Sequence, residues 1–107
     1  MLIELLYFGG CPSHEAFVPR VLELLARADV DVPVRQRRVE GDAAAQRERF
    51  LGSPTLRVDG VDIEPGAGDR TDYGLKCRLY STEEGLRGAP PDALVLNALQ
   101  LAGRPAG

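Results

Sequence analysis

The chain opens with an apolar run, residues 1–8, broken once by Glu4. Such a run suits a central strand covered on both faces, with Glu4 near an end or rim. Gly9 and Gly10 stop the run and allow a sharp turn. From Pro12 the period changes. Phe17, Val18, Val21, Leu22, Leu24, Leu25 and Ala28 recur at helical spacing and predict a broad apolar helix face. Pro12 suits the first helical position, with Cys11 as the N-cap. Pro19 interrupts the pattern, but the apolar period resumes beyond it, which predicts a kink and not an end. Residues 29–31 close the helix.

Residues 32–39 partly alternate and are rich in arginine, which predicts a strand near a sheet edge, with Pro33 in its first residues. Asp42 is placed to cap a short helix over 43–51, and Gly52 to close it. Residues 53–58 and 61–63 flank Asp59-Gly60, a good hairpin signal. From 64 to 88 the pattern fails. This stretch reads as loop, with a short extended piece at 75–80; loops of this length in compact domains are functional or mobile. Pro90-Pro91-Asp92 opens a last helix, with Leu94, Val95, Ala98, Leu101 and Ala102 as its apolar face. Gly103 and Pro105 end it, and residues 104–107 are expected to fray.

The order is β-α-β-α-β-β-α. Two strands joined through a helix are expected to be parallel with a right-handed crossover. The expected architecture is therefore α/β: one domain over residues 1–107, a four-stranded mixed sheet with helices on both faces, and an inserted loop at 65–88 before the last helix. A chain of 107 residues suits one domain and not two.

Composition narrows the function. Hydrophobic content of 44% supports an ordinary core, and a net charge of −3 with both signs scattered gives no case for nucleic acid. No run approaches the length of a membrane span, and no secretory signal is visible. The expectation is a cytoplasmic protein with reduced thiols. Cys11 and Cys77 are too few for a disulfide scaffold, and the absence of a CxxC and the single histidine make a structural zinc site in one chain a poor fit. No cofactor is implied.

The chemistry is expected at the turn Gly9-Gly10-Cys11-Pro12-Ser13-His14. A thiol at a helix start meets unpaired backbone N–H groups and the positive end of the helix dipole, and both favour the thiolate. Pro12 removes one donor; the Ser13 and His14 N–H groups remain. His14, one helical turn on, lies roughly 5–6 Å away between Cβ atoms. It can donate to a thiolate or carry a proton to a leaving thiol. The alternative is a surface histidine with no chemical role.

These residues resemble the thioredoxin superfamily. Cys11 to His14 falls where that family carries C-x-x-C, and Pro12 resembles the C-P-x-C of glutaredoxins. Pro19, eight residues after Cys11, is similar to the helix-kinking proline of thioredoxins, and Gly52-Ser53-Pro54-Thr55 resembles their G-x-P-T. The likeness covers residues 1–64 and the last helix, and is nearest to small bacterial thioredoxin-like proteins. It implies a thioredoxin fold, a nucleophilic Cys11 and a cis peptide bond before Pro54. It also implies a substrate groove formed by Pro12, Ser13, Ser53 and Pro54, where the Ser53 backbone is left to pair with an extended substrate as a short added strand. The chain departs from the family in four ways: His14 replaces the second cysteine, Gly10 replaces a tryptophan, Leu5 stands in place of a buried aspartate, and residues 65–88 are an insertion that the small family members lack.

Without a vicinal cysteine, Cys11 needs another thiol to resolve a mixed disulfide. Cys77 is the candidate if its Cα comes within about 7 Å, with a buried packing role as the alternative. Arg70, Arg78 and Arg87 read as solvated surface arginines, with attraction of an anionic thiol as the alternative. The expected function is thiol-disulfide exchange with a protein or small-molecule disulfide, using Cys11 and His14, with Cys77 or an external thiol as the resolving thiol. Two other classes stay open: a soft metal or metalloid binder using the same three residues, and a non-catalytic interaction module.

Overall fold

The computed structural model describes residues 1–10 and 12–102. A central sheet has strand order β2-β1-β3-β4, with β1 at Ile3–Tyr7, β2 at Val34–Arg38, β3 at Thr55–Val58 and β4 at Val61–Asp62. β1 is parallel to β2, with Ile3 opposite Val34 and Tyr7 opposite Arg38. It is antiparallel to β3, with Ile3 opposite Val58 and Leu6 opposite Thr55. The sheet is mixed and four-stranded, β1 is central and β2 is an edge, as the apolar and charged runs predicted. Asp59 (φ 52°) and Gly60 (φ 81°) both take positive φ between β3 and β4, the two-residue turn whose twist matches the strands.

Three helices cover the sheet: α1 at Ser13–Arg27, α2 at Asp42–Glu48 and α3 at Asp92–Ala102. Side chains alternate along β1, so Ile3 and Leu5 face one way and Leu6 the other. Ile3 and Leu5 share a core with Phe17, Val21 and Leu24 of α1 and with Val95 and Leu99 of α3. Leu6 packs with Val39, Ala45 and Phe50 on the α2 side. Helices therefore lie on both faces, α1 and α3 together and α2 opposite.

Local details differ from expectation. Helix α1 starts at Ser13, one residue later than expected, with Pro12 as its cap although Pro12 itself has helical angles. It continues through Pro19, but its buried face is narrower than the spacing suggested, since Leu22 is half exposed. In α3, Leu99 is buried and Leu101 is exposed. Helix α2 is capped by Gly41, not Asp42, and ends at left-handed Arg49 (φ 52°), not Gly52. Glu4 is the second residue of β1, and its charge is met by Arg37 of β2 at 2.9 Å.

The largest difference is at residues 65–88. They are not a plain loop. A 3₁₀ turn, Ala67–Asp69, is followed by a separate two-stranded hairpin, β5 at Tyr80–Thr82 and β6 at Gly85–Arg87. Between them, residues 74–78 run beside residues 50–53. The Gly74 N–H donates to the Phe50 carbonyl at 3.0 Å, and Leu75 packs on the α2 core. No helix among the described residues is long and apolar enough to cross a membrane.

Candidate functional site

The site lies where β1 ends, α1 begins and β3 begins. Leu6 opposite Thr55 fixes those ends at one edge of the sheet. Cys11 and residues 103–107 lie outside the described residues, so the site is built from what surrounds the Gly10–Pro12 junction.

Pro12 is exposed and Ser13 half-buried at the start of α1. His14 is buried, at 9% exposure, and its ring stacks on Tyr7 with centroids 4.1 Å apart and planes 17° from parallel. The alternative of a surface histidine is thus corrected. As the second residue of α1, His14 packs against the sheet end, where Tyr7, the last residue of β1, offers an aromatic face.

Ser53 and Pro54 are buried, and the bond between them is cis, as the resemblance implied. The Ser53 backbone is not left for a substrate. Its N–H donates to the Lys76 carbonyl at 2.8 Å, and its carbonyl accepts from the Arg78 N–H at 2.9 Å. The pair makes a parallel bridge between Ser53 and Cys77. Cys77 is exposed, so its alternative reading as a buried packing residue is corrected.

Gly52 makes this approach possible. At φ 123° it holds a conformation that other residues rarely adopt, and a Cβ there would lie 2.9 Å from the Arg78 Cβ and 3.0 Å from the Lys76 carbonyl oxygen. The other end of the insertion reaches α1: a Cβ on Gly88 would lie 2.9 Å from the Ser13 hydroxyl.

Arg78 is not a solvated arginine. Its side chain is fully buried and donates to Asp62 at 2.7 and 3.0 Å, to Glu64 at 3.1 Å and to the Thr55 hydroxyl at 3.1 Å. Burial opposes its charge, but the hydrogen bonds to Asp62 and Glu64 outweigh that and raise its pKa further above the ordinary arginine value. The guanidinium also sits 4.6 Å from the centre of the Tyr80 ring. Tyr80 is buried and donates its hydroxyl to the Pro54 carbonyl at 2.5 Å. Burial pushes the Tyr80 phenol up from its ordinary pKa, the Arg78 charge partly opposing. Arg70 pairs with Asp72 and Glu64, and Arg87 with Glu84, all nearer the surface.

The structure therefore brings Ser53, Pro54 and Cys77 together and ties them down through Arg78 and Tyr80. His14 joins Tyr7 at the same end of the sheet. Sequence reasoning singled out Gly52 and Arg78 but not their contacts here, and it gave Tyr7 and Tyr80 no place at the site. The available signal was the order Cys77-Arg78-x-Tyr80 beside the acidic pair Asp62 and Glu64. Among the described residues no group of three or more His, Cys, Asp or Glu converges as for a metal ion.

A cleft of about 260 Å³ opens beside this end, lined by Phe8, Gly9, Gly10, Arg38, Gly41 and Leu75. A larger apolar groove, about 470 Å³, lies between β4 and α3 and contains none of these residues. Compared with known proteins, the chain matches no family model, no curated protein and no solved structure.

Proposed function

We propose that this α/β protein has a thioredoxin fold and acts as a cytoplasmic thiol-disulfide oxidoreductase, with Cys11 as nucleophile and Cys77 as resolving thiol. The observation that carries this reading is the main-chain bridge between Ser53 and Cys77. It holds a second thiol on the strap whose Leu75 shares a cleft with Gly10, the residue before Cys11.

In the proposed cycle the Cys11 thiolate attacks one sulfur of a disulfide. A Cys11–substrate disulfide forms, and the other substrate sulfur leaves as a thiolate and takes a proton. In this reading His14, in the first turn of α1, supplies that proton or steadies the sulfur. The Cys77 thiolate then attacks the Cys11 sulfur. The second substrate thiol departs, and a Cys11–Cys77 disulfide remains. The substrate gains two electrons and the protein loses two. An external thiol reductant restores the dithiol, or replaces Cys77 in the second step.

The test is the rate of alkylation by iodoacetamide against pH, in wild type and Cys77→Ser, with intact mass after mild oxidation. The expected result is a Cys11 inflection well below about 8.5, the free-thiol value, and a mass loss of two hydrogens, their electrons going to the added oxidant, within the wild-type chain only. An ordinary inflection, with Cys11→Ser leaving disulfide reduction unchanged, overturns the reading.

A further inference from the structure

The kind of disulfide that reaches the site follows from what already occupies its main chain. An extended polypeptide binds a sheet by adding a strand, so it needs a free N–H and C=O on the receiving segment. At Ser53 both are taken by residues 76–78 of the same chain, at 2.8 and 2.9 Å. The strap is fastened on both sides of Cys77. Before it, Leu75 packs on the α2 core and Lys76 pairs with Asp72 at 2.9 Å. After it, the Arg78 guanidinium is buried on Asp62 and Glu64, and Tyr80 holds the Pro54 carbonyl. A polypeptide has to lift this segment before it can pair.

A second opening suits a smaller molecule. The helix after β1 and the helix after β2 pack on opposite faces of the sheet, and these two parallel strands are neighbours. The crevice beyond the carboxyl ends of such a strand pair is where open α/β sheets receive small ligands. Here that crevice is the 260 Å³ cleft between the Gly9-Gly10 turn and residues 38–41. Arg38 and Glu40 line it 3.5 Å apart, so it presents both charges and selects neither sign strongly.

We infer that the substrates are low-molecular-weight disulfides entering by this cleft, and that residues 76–78 act as a built-in strand that keeps extended polypeptides off Ser53. The inference rests on the thiol-exchange reading above and adds the substrate class to it.

The experiment compares second-order rates of reduction of 2-hydroxyethyl disulfide and of an unstructured ten-residue peptide carrying one cysteine as its 2-hydroxyethanethiol mixed disulfide. Wild type is expected to favour the small disulfide by about 30-fold, the factor that two displaced backbone hydrogen bonds represent. Gly52→Ala, whose Cβ presses on Lys76 and Arg78, is expected to narrow that ratio at least severalfold, whatever it does to the small-disulfide rate itself. Should Gly52→Ala not fold, wild type alone decides. Equal wild-type rates on both substrates overturn the inference and leave thiol exchange standing. No reaction with either substrate overturns the thiol-exchange reading and the inference with it.

Discussion

The Tyr80 hydroxyl donates to the Pro54 carbonyl across 26 residues of sequence, and both groups are buried. This bond ties the inserted hairpin to the start of β3. Tyr80→Phe keeps the ring under Arg78 but leaves the carbonyl without its donor. The expected loss is about 1–2 kcal/mol, read as a lower urea midpoint with an unchanged slope.

The same tyrosine gives a pH signature. Burial raises its folded pKa above the unfolded value, so the neutral phenol is the form the fold prefers. Its contribution is complete below about pH 10, the unfolded tyrosine value, and is lost as pH rises through the folded value. Wild type should therefore lose stability above about pH 10 more steeply than Tyr80→Phe. Urea midpoints of the two proteins across that range test this; parallel curves would show that the phenol does not govern the alkaline limb.

Arg78 and Arg70 both pair with Glu64, but only Arg78 is fully buried. Arg78→Met leaves Asp62 and Glu64 facing each other without the guanidinium and is expected to cost about 3 kcal/mol. Arg70→Met, at a partly exposed pair, should cost under about 1 kcal/mol. Denaturant unfolding of the two variants side by side reads the difference.

Gly52 and Gly60 both hold positive φ, yet only Gly52 is crowded. Gly60→Ala meets open space and should cost about 1 kcal/mol for its backbone angle alone. Gly52→Ala adds the contact with Lys76 and Arg78 and should cost about 1 kcal/mol or more beyond that. Equal losses would mean that the strap yields freely.

His14 packs face to face on Tyr7. His14→Phe keeps an aromatic ring on that face and removes both ring nitrogens. If the imidazole handles a proton, exchange with small disulfides should slow by about 100-fold or more while the thermal midpoint barely moves. An unchanged rate would leave His14 a packing residue.

The four strands and three helices were legible because their signals are local. The run at 1–8, the Asp59-Gly60 pair and the helical spacing from Phe17 to Leu25 each act within a few residues. Helix ends were less so: Gly52 looked like a stop signal, but its φ serves the approach of Lys76 and Arg78. In the insertion only a short extended piece at 75–80 was legible, in part as the Ser53–Cys77 bridge and the start of β5, and the rest was hidden for a physical reason. Its order comes from long-range partners, Arg78 with Asp62 and Tyr80 with Pro54, and a buried arginine runs against the usual preference for the surface. The same distance hid the occupation of Ser53, which no pattern around residue 53 announces.

The outer strand β2 has a consequence for crowded solutions. It presents Arg35, Gln36, Arg37 and Arg38 in succession, with Arg35 and Arg38 exposed, while the opposite margin, β4, is two residues long. Fibrils grow when unpaired main chain at one sheet margin recruits another copy. Here one margin is lined by long charged side chains, Arg37 and Arg38 among them held in ion pairs that a docking strand has to disturb, and the other is too short to template a partner. Added salt weakens the first defence and leaves the second intact, so clumping at high concentration should follow ionic strength more closely than temperature.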